Sequence, residues 1–527
     1  MVVKALSRSA RVAIALVGAG AVVGCSASAP ATDFTATAGQ PLVISIDDLL
    51  AKTGGSAALR VADPEHGELS RRTDGALVYT PKEGYSGADA FEVTTTDAVR
   101  LYTTDIPTFG EFGGTTVQGS GFGSALAPVP GSPNEFYGLT DRGPNVDGPN
   151  KNEKIAPTPD FVPKIGRFEL VDSRAVLRST IDLRTARGVA FNGQVDVSAD
   201  TGETILDLNG NVLAPTDHGI DPEGLVALSD GTFWVSDEYG PFVAHFAADG
   251  TEIERLTPGH GLPKELSLRT PNQGMEGLTV TPDGNTLVGV MQSALNTPGL
   301  AGSAKDVPMT RIVTVDLRSK AQKEFALPLE NPSSTKVADS EITALTATTF
   351  LVDERDGNLP PDANKKLRTV DISGATDIGP AAKVAGAHYD PEHGGLLVGD
   401  KPVESLVGSG STADGIAALA KAGITPVART ADFDFAGLVT ELDADGEFFG
   451  HDKIEGVATL DGGATLYIAN DSDFGLAASE GDHPPLGLLA KTLPNGVQDT
   501  GEILFVDTTK LPAEKDTRTV RVKVEQS

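Results

Sequence analysis

Cysteine occurs once in the 527 residues, as Cys25, which excludes an intramolecular disulfide and a cysteine-based zinc site. Positive charge is also scarce. Lys and Arg number 42 against 73 Asp and Glu, a formal net charge of -31. Such a field repels nucleic acid and anionic lipid headgroups within a Debye length, so neither is expected as a partner. A small anionic substrate needs a bound cation or a local basic cluster to come close. The catalytic motifs with a fixed local signature are missing as well: no G-x-S-x-G nucleophile elbow, no H-E-x-x-H zinc helix, no G-x-x-x-x-G-K-[ST] phosphate loop and no Arg-His-Gly motif. A serine-esterase mechanism is therefore unsupported. Long apolar runs are absent apart from Val12 to Val23, which is too short to span a bilayer as a permanent helix.

That run, preceded by Lys4, Arg8 and Arg11, reads as a signal peptide over residues 1–24. It ends in Val22-Val23-Gly24-Cys25, which resembles the bacterial lipoprotein box, in which the cysteine is lipidated and becomes the first mature residue. The expectation is an extracytoplasmic protein anchored to the cell membrane through lipid on Cys25, with a Ser/Ala/Pro/Thr-rich tether over 25–39. The 60 Gly and 34 Pro indicate a globular chain with many turns, and a length of 527 residues calls for two domains or one large closed β-architecture.

Between residues 40 and 98, Leu77-Val78-Tyr79-Thr80-Pro81 and Gly84 to Val93 read as two strands joined by a Gly-containing turn. The segment resembles bacterial Ig-like or cadherin-like β-sandwich modules, and it is read as a spacer or interaction module without chemistry of its own. Beyond Leu101 the chain repeats itself. Glu223-Gly224, Glu276-Gly277, Glu341-Ile342 and Glu455-Gly456 each open a short apolar strand, and most are followed by an Asp-Gly type turn and a second strand. A degenerate copy starts at Gly123-Ser124. Paired hairpins of this kind make four-stranded blades. The predicted fold is all-β: a β-propeller of about six four-stranded blades over 101–527, five visible and a sixth expected in the gap between Glu341 and Glu455, preceded by the small β-sandwich. A helix is predicted over 415–423 within that gap, with Ile416, Leu419 and Ala420 on one face.

Hairpin counting places Glu223 opposite Glu238, Glu341 opposite Glu354 and Glu455 opposite Asn470. If the Glu-initiated strand is innermost, Glu223, Glu276, Glu341 and Glu455 converge on the channel axis. Converging carboxylates repel one another unless protonated or bound to a cation. Calcium is favoured over magnesium where many protein oxygens meet. The alternative is that Glu-Gly merely begins a strand, with solvated side chains. His218, Asp221 and His451 precede these glutamates and are the candidate bases. Arg142, Arg355 and Lys453 stand at the same rim, where they either hold an anionic group or neutralise the acids.

The segments "DRGPN" (141–145), "DPEGLVALSDGTFWVSDEYGP" (221–241), "NQGMEGLTVTPDG" (272–284) and "KIEGVATLDGGATLYIANDSDFG" (453–475) together resemble the bacterial phytase-like family described as having esterase-like activity. The resemblance implies a propeller hydrolase of phosphoric or related esters with acidic site residues. Ser124 and Ile342 depart from its pattern. The resulting expectation is a monomeric, metal-assisted ester hydrolase, with a non-catalytic surface lipoprotein carrying structural calcium as the second reading.

Overall fold

The computed structural model describes residues 32–526 except 200, 201 and 241. The signal segment and Cys25 lie outside the described residues. Five four-stranded antiparallel blades form the bulk of the chain; the outer strands of the first and last also pair in parallel at Arg174↔Thr103 and Ala175↔Thr104, joining those two into one eight-stranded sheet, and a two-residue strand, Gly261–Leu262, extends the second. From inner to outer strand, the first blade is Ala125–Pro128, Glu135–Leu139, Lys164–Val171 and Arg174–Asp182. The second is Pro222–Ala227, Phe233–Asp237, Val243–Phe246 and Glu252–Pro258. The third is Met275–Val280, Thr286–Met291, Met309–Asp316 and Gln322–Pro328. The fourth is Ala338–Ala344, Thr349–Arg355, Lys365–Asp371 and Ala428–Asp434. The fifth is Ile454–Ala458, Thr465–Asn470, Glu502–Asp507 and, from the other end of the propeller sequence, Val99–Thr104.

The innermost strands of the five blades touch in succession, and that of the fifth returns to the first. The ring is thus closed at five blades rather than about six. The strand that precedes the first blade supplies the outer strand of the last, so the closure is made by backbone hydrogen bonds instead of leaving two free edges. The gap between Glu341 and Glu455 holds an insertion in place of a sixth blade. It consists of a small sheet (Ala387–Asp390, Gly395–Val398, Lys401–Pro402) and the helices Val403–Val407 and Thr412–Lys421. Ser411 caps the second of these helices by accepting from the Asp414 amide. Leu419 is buried there but Ile416 and Ala420 face solvent, so the apolar face is narrower than the sequence implies.

The Ig-like module is a sandwich of two sheets. One is ordered Phe34–Thr37, Lys515–Glu525, Gly87–Thr96, Ala57–Val61, and the other Leu42–Ile44, Leu77–Pro81, Gly67–Arg71. The strands at Leu77 and Gly87 are consecutive but lie in opposite sheets, so they do not form a hairpin. The last strand of the chain, expected in the propeller, pairs instead with Gly87–Thr96 along ten register positions from Lys515↔Thr96 to Val524↔Gly87. Its alternation is the reason: Val520, Val522 and Val524 are buried against Phe91 and Val93 while the intervening Arg and Lys face outward. The module is therefore joined to the propeller by two chain crossings, one on each side.

Candidate active site at the acidic mouth of the propeller

The Glu-bearing strands are the innermost ones, as the convergence argument requires. Each carries a β-bulge at its glutamate: between Pro222 and Gly224, Met275 and Leu278, Asp339 and Glu341, and Ile454 and Gly456. The extra residue shifts the pairing by about one position from simple hairpin counting. Glu341 faces Asp353 rather than Glu354, Asn470 faces Ile454 rather than Glu455, and Asp237 faces Pro222.

The glycine after each glutamate is explained by the ring, not by a turn. A Cβ at Gly224 would lie 2.6 Å from the Leu278 amide nitrogen and 2.7 Å from the Glu276 carbonyl; at Gly277, 2.4 Å from the Ile342 amide nitrogen; at Gly456, 3.0 Å from that of Leu126. Each glycine admits the backbone of the adjoining inner strand. The fourth blade, with Ile342, meets the fifth without such a glycine.

Asp221, Glu223 and Glu238 form the tightest acidic group, with one oxygen of each within 4.8 Å of the others. Two backbone contacts set Asp221: its Oδ1 accepts from the Arg142 amide at 3.1 Å, and its own amide donates to Asp237 Oδ1 at 2.8 Å. Asp237 also accepts from the Gly240 amide, fixing the turn that carries Glu238, and burial pushes its carboxyl up to about 7. Glu238 Oε2 is buried with no hydrogen-bond partner. Burial, then the charges of Glu276, Asp221, Glu455 and Glu238, hold the Glu223 carboxyl well above the usual range. Glu238 and Glu276 are raised in the same way, burial again the largest cause. These carboxylates face a common space. A hard cation suits an all-oxygen donor set that is buried, mutually repelling and left with an unpartnered oxygen.

The other predicted ligands have additional roles. Glu276 bonds Gln292, and Glu455 is ion-paired with Arg355. Glu341 is turned along the seam between blades, where it accepts from the amides of Leu278 (3.2 Å) and Ile342 (2.8 Å), and it lines the central channel. Glu354 leaves the mouth altogether and pairs with Arg368 and Arg429. Ser124, which replaces glutamate in the first blade, is buried, and that blade contributes Asp141 instead.

The three predicted cations neutralise acids. Arg142 reaches Glu203 at 3.1 Å and Asp221 at 3.6 Å and bonds the Tyr239 hydroxyl. Lys453 binds Asp473 (2.6 Å) and Asp471 (3.2 Å); burial alone would lower its pKa, but these carboxylates raise it well above the ordinary value. Of the three side chains Lys453 is the most exposed, at 32%. The two histidines do not occupy matching environments. His218 bonds the exposed Asp217, itself paired with Arg187. His451 is fully buried and both ring nitrogens are taken, Nδ1 by Asp499 at 3.0 Å and Nε2 by Glu502 at 2.9 Å.

Burial alone would lower the His451 pKa, but the two carboxylates outweigh it and raise it to about 9. An imidazolium with no free nitrogen cannot accept a proton, so His451 is an ion-pair anchor of the fifth blade and not a base. Its raised pKa stabilises the fold below about pH 6.5 and loses that effect as pH rises through about 9. Calorimetric melts should therefore show a falling transition temperature over this window, and His451→Gln should flatten the slope.

A cap made by insertions covers the mouth. Tyr239 is buried against Val195, Ala199 and Ile205 of the segment between the first two blades. Phe161, from the loop between the second and third strands of the first blade, packs with Phe474 and Leu476, which follow the inner hairpin of the fifth blade. Asp141, Gln292 and Asp471, missed from the sequence, and Glu238, placed at the rim by hairpin counting but not read as a ligand, share one signal: each follows the second strand of its blade and is Asp, Glu or Gln.

Residues 26–108 match a bacterial Ig domain family. An uncharacterized secreted protein of Arthroderma benhamiae is 29% identical over 213 residues, 32% of this chain and 41% of the relative, so the match spans less than half of that protein. Among solved structures, a DUF4221 family member from Bacteroides vulgatus superposes with a TM-score of 0.28 at 8% identity, covering 82% of this chain and 99% of the other. A virginiamycin B lyase from Staphylococcus aureus gives 0.26 at 10% identity, covering 77% and 99%. These scores are low, and the propeller assignment rests on the closed strand ring itself. Residues 118–474, two thirds of the chain and all five inner strands, match the phytase-like family described by the esterase-like activity of phytase, and the chain belongs to that family.

Proposed function

We propose that this protein is an extracytoplasmic hydrolase of phosphoric or related esters that works at the acidic mouth with a divalent cation, calcium by donor chemistry. The observation that carries the reading is the convergence of Asp221, Glu223 and Glu238 with the unpartnered Glu238 Oε2. Those three residues would hold the cation, with Glu276 and Glu455 adding negative charge beside it. A bound cation supplies Lewis-acid polarisation of the ester oxygen and a lowered pKa for water. The chain's own residues do the rest. Arg142 and Asp237 orient Asp221, Arg355 partly neutralises Glu455, and the cap excludes bulk water. Lys453, the most exposed cation at the rim, is placed to attract the anionic group. Membership of the phytase-like family supports the ester class, and the secreted relative supports the location. Lipid anchoring at Cys25 is proposed on the sequence box alone.

The test is turnover of a phosphomonoester, a phosphodiester and a carboxylester by the purified full chain, with and without chelator. Chelator-sensitive turnover of a phosphoester is the expected result, and no turnover of any of the three would sink the catalytic reading. The second reading, a surface protein that binds a ligand or partner on the propeller face, is favoured by the burial of the acids, Glu223 being 9% and Glu238 5% exposed. It predicts cation binding with no turnover.

A further inference from the structure

Where the Ig-like module leans on the propeller, a cleft of about 900 Å³, open solvent included, is lined by both. It contains none of the carboxylates of the acidic mouth. Three arginines line it: Arg71 and Arg72 from the module, and Arg174 from the outer strand of the first blade. Asp74 serves two of them, lying 3.2 Å from Arg72 and 3.6 Å from Arg174. Arg71 is half-buried, and among the described residues its side chain makes no hydrogen bond or ion pair, its backbone alone pairing with Leu77.

The acids across the cleft do not complete it. Glu502 is engaged by His451 at 2.9 Å, and Glu447 stays beyond ion-pair distance of Arg71. Burial pulls the Arg71 pKa down against the pull of Glu502, Glu447 and Asp443, which is the cost of holding a guanidinium without a partner. Half-buried Leu101 and Val497, with buried Leu493, give the cleft an apolar wall.

We propose that this interdomain cleft is a binding site for a small molecule bearing one oxyanion, a carboxylate or a phosphate, on an apolar body, with Arg71 as the recognising cation. The fork of Arg71 matches either oxyanion with two parallel hydrogen bonds. The lining sets three arginines against Asp47, Asp74, Glu447 and Glu502, and of the three arginines only Arg71 has no carboxylate in ion-pair contact. A ligand held there touches both domains and fixes the module against the fifth blade.

The test is calorimetric titration of the full chain, stripped of cations with chelator and then dialysed free of it so that neither cation nor chelator is present, with benzoate, phenyl phosphate and benzyl alcohol. Saturable one-to-one binding of at least one oxyanion is expected, without binding of the alcohol, and the two oxyanion arms tell carboxylate from phosphate. Arg71→Gln should weaken that binding at least tenfold and Arg71→Lys less. Because the Arg71 side chain bonds nothing in the fold, both variants should melt as the wild type does. Unchanged affinity in Arg71→Gln, or no saturable binding of either oxyanion, would overturn the proposal.

Discussion

Replacing Glu238 with glutamine should abolish most phosphoester turnover, by on the order of 100-fold or more, while making the cation-free protein more stable at neutral pH. The two effects have one origin. Glu238 Oε2 bonds nothing in the fold, so the substitution removes no hydrogen bond from that oxygen, but it takes away one of the three carboxylates that converge at the mouth. The carboxyl is raised well above its usual range, chiefly by burial and next by Asp221. A raised acid costs stability once pH exceeds its unfolded pKa, and the cost is complete above the folded pKa. Glutamine removes that cost at pH 7–8 and changes little near pH 4, where the carboxyl is protonated in the folded state and mostly protonated in the unfolded one. Thermal melts at the two pH values, beside turnover assays, check the pair. A fall in activity accompanied by a fall in stability at neutral pH would mean that the site had been misread as a ligand set.

The second large effect belongs to the ring. Gly277→Val should destabilise the protein by about 3 kcal/mol or more, or prevent folding, because its Cβ would sit 2.4 Å from the Ile342 amide nitrogen and 2.6 Å from the Glu341 carbonyl carbon. Those are backbone atoms of the adjoining inner strand and cannot turn aside. Gly284 is the control. It sits in a turn at φ +72° with open space around its Cβ, so Gly284→Ala should cost only about 1–2 kcal/mol. Denaturant unfolding of the two variants separates a glycine needed for close approach from one needed for a left-handed backbone.

This contrast marks what was legible in the sequence. The Glu-Gly repeat showed the blades and the innermost strands, because apolar alternation and Asp-Gly turns are local signals. The reason for the glycine was hidden, since the atom it avoids belongs to the next blade, some 50 or more residues away. Bulges at the glutamates were equally hidden, and they moved the partner of Glu341 from Glu354 to Asp353. Blade number failed at the one long gap, where spacing alone does not distinguish a sixth blade from a three-stranded insertion with two helices.

Long-range partners were the other loss. The strand Lys515–Glu525 alternates as any half-buried strand does, and nothing local says that it returns to the first module. His451 and His218 look alike in sequence because each precedes a Glu by a few residues. What separates them is Asp499 and Glu502, contributed nearly 50 residues later around one of the two. Of the four glutamates read as ligands, Glu223 belongs to the tightest acidic group, Glu276 and Glu455 stand beside it, and Glu341 spends its carboxylate on two backbone amides.

The central claim is that the mouth of the propeller is a cation site built on Asp221, Glu223 and Glu238. Equilibrium dialysis of the chelator-stripped full chain against calcium tests it most directly. The account predicts saturable uptake at neutral pH that weakens towards pH 4, as the raised carboxyls take up protons, and that is lost in Glu238→Gln. Uptake that is absent, or that is unchanged in Glu238→Gln, would contradict it.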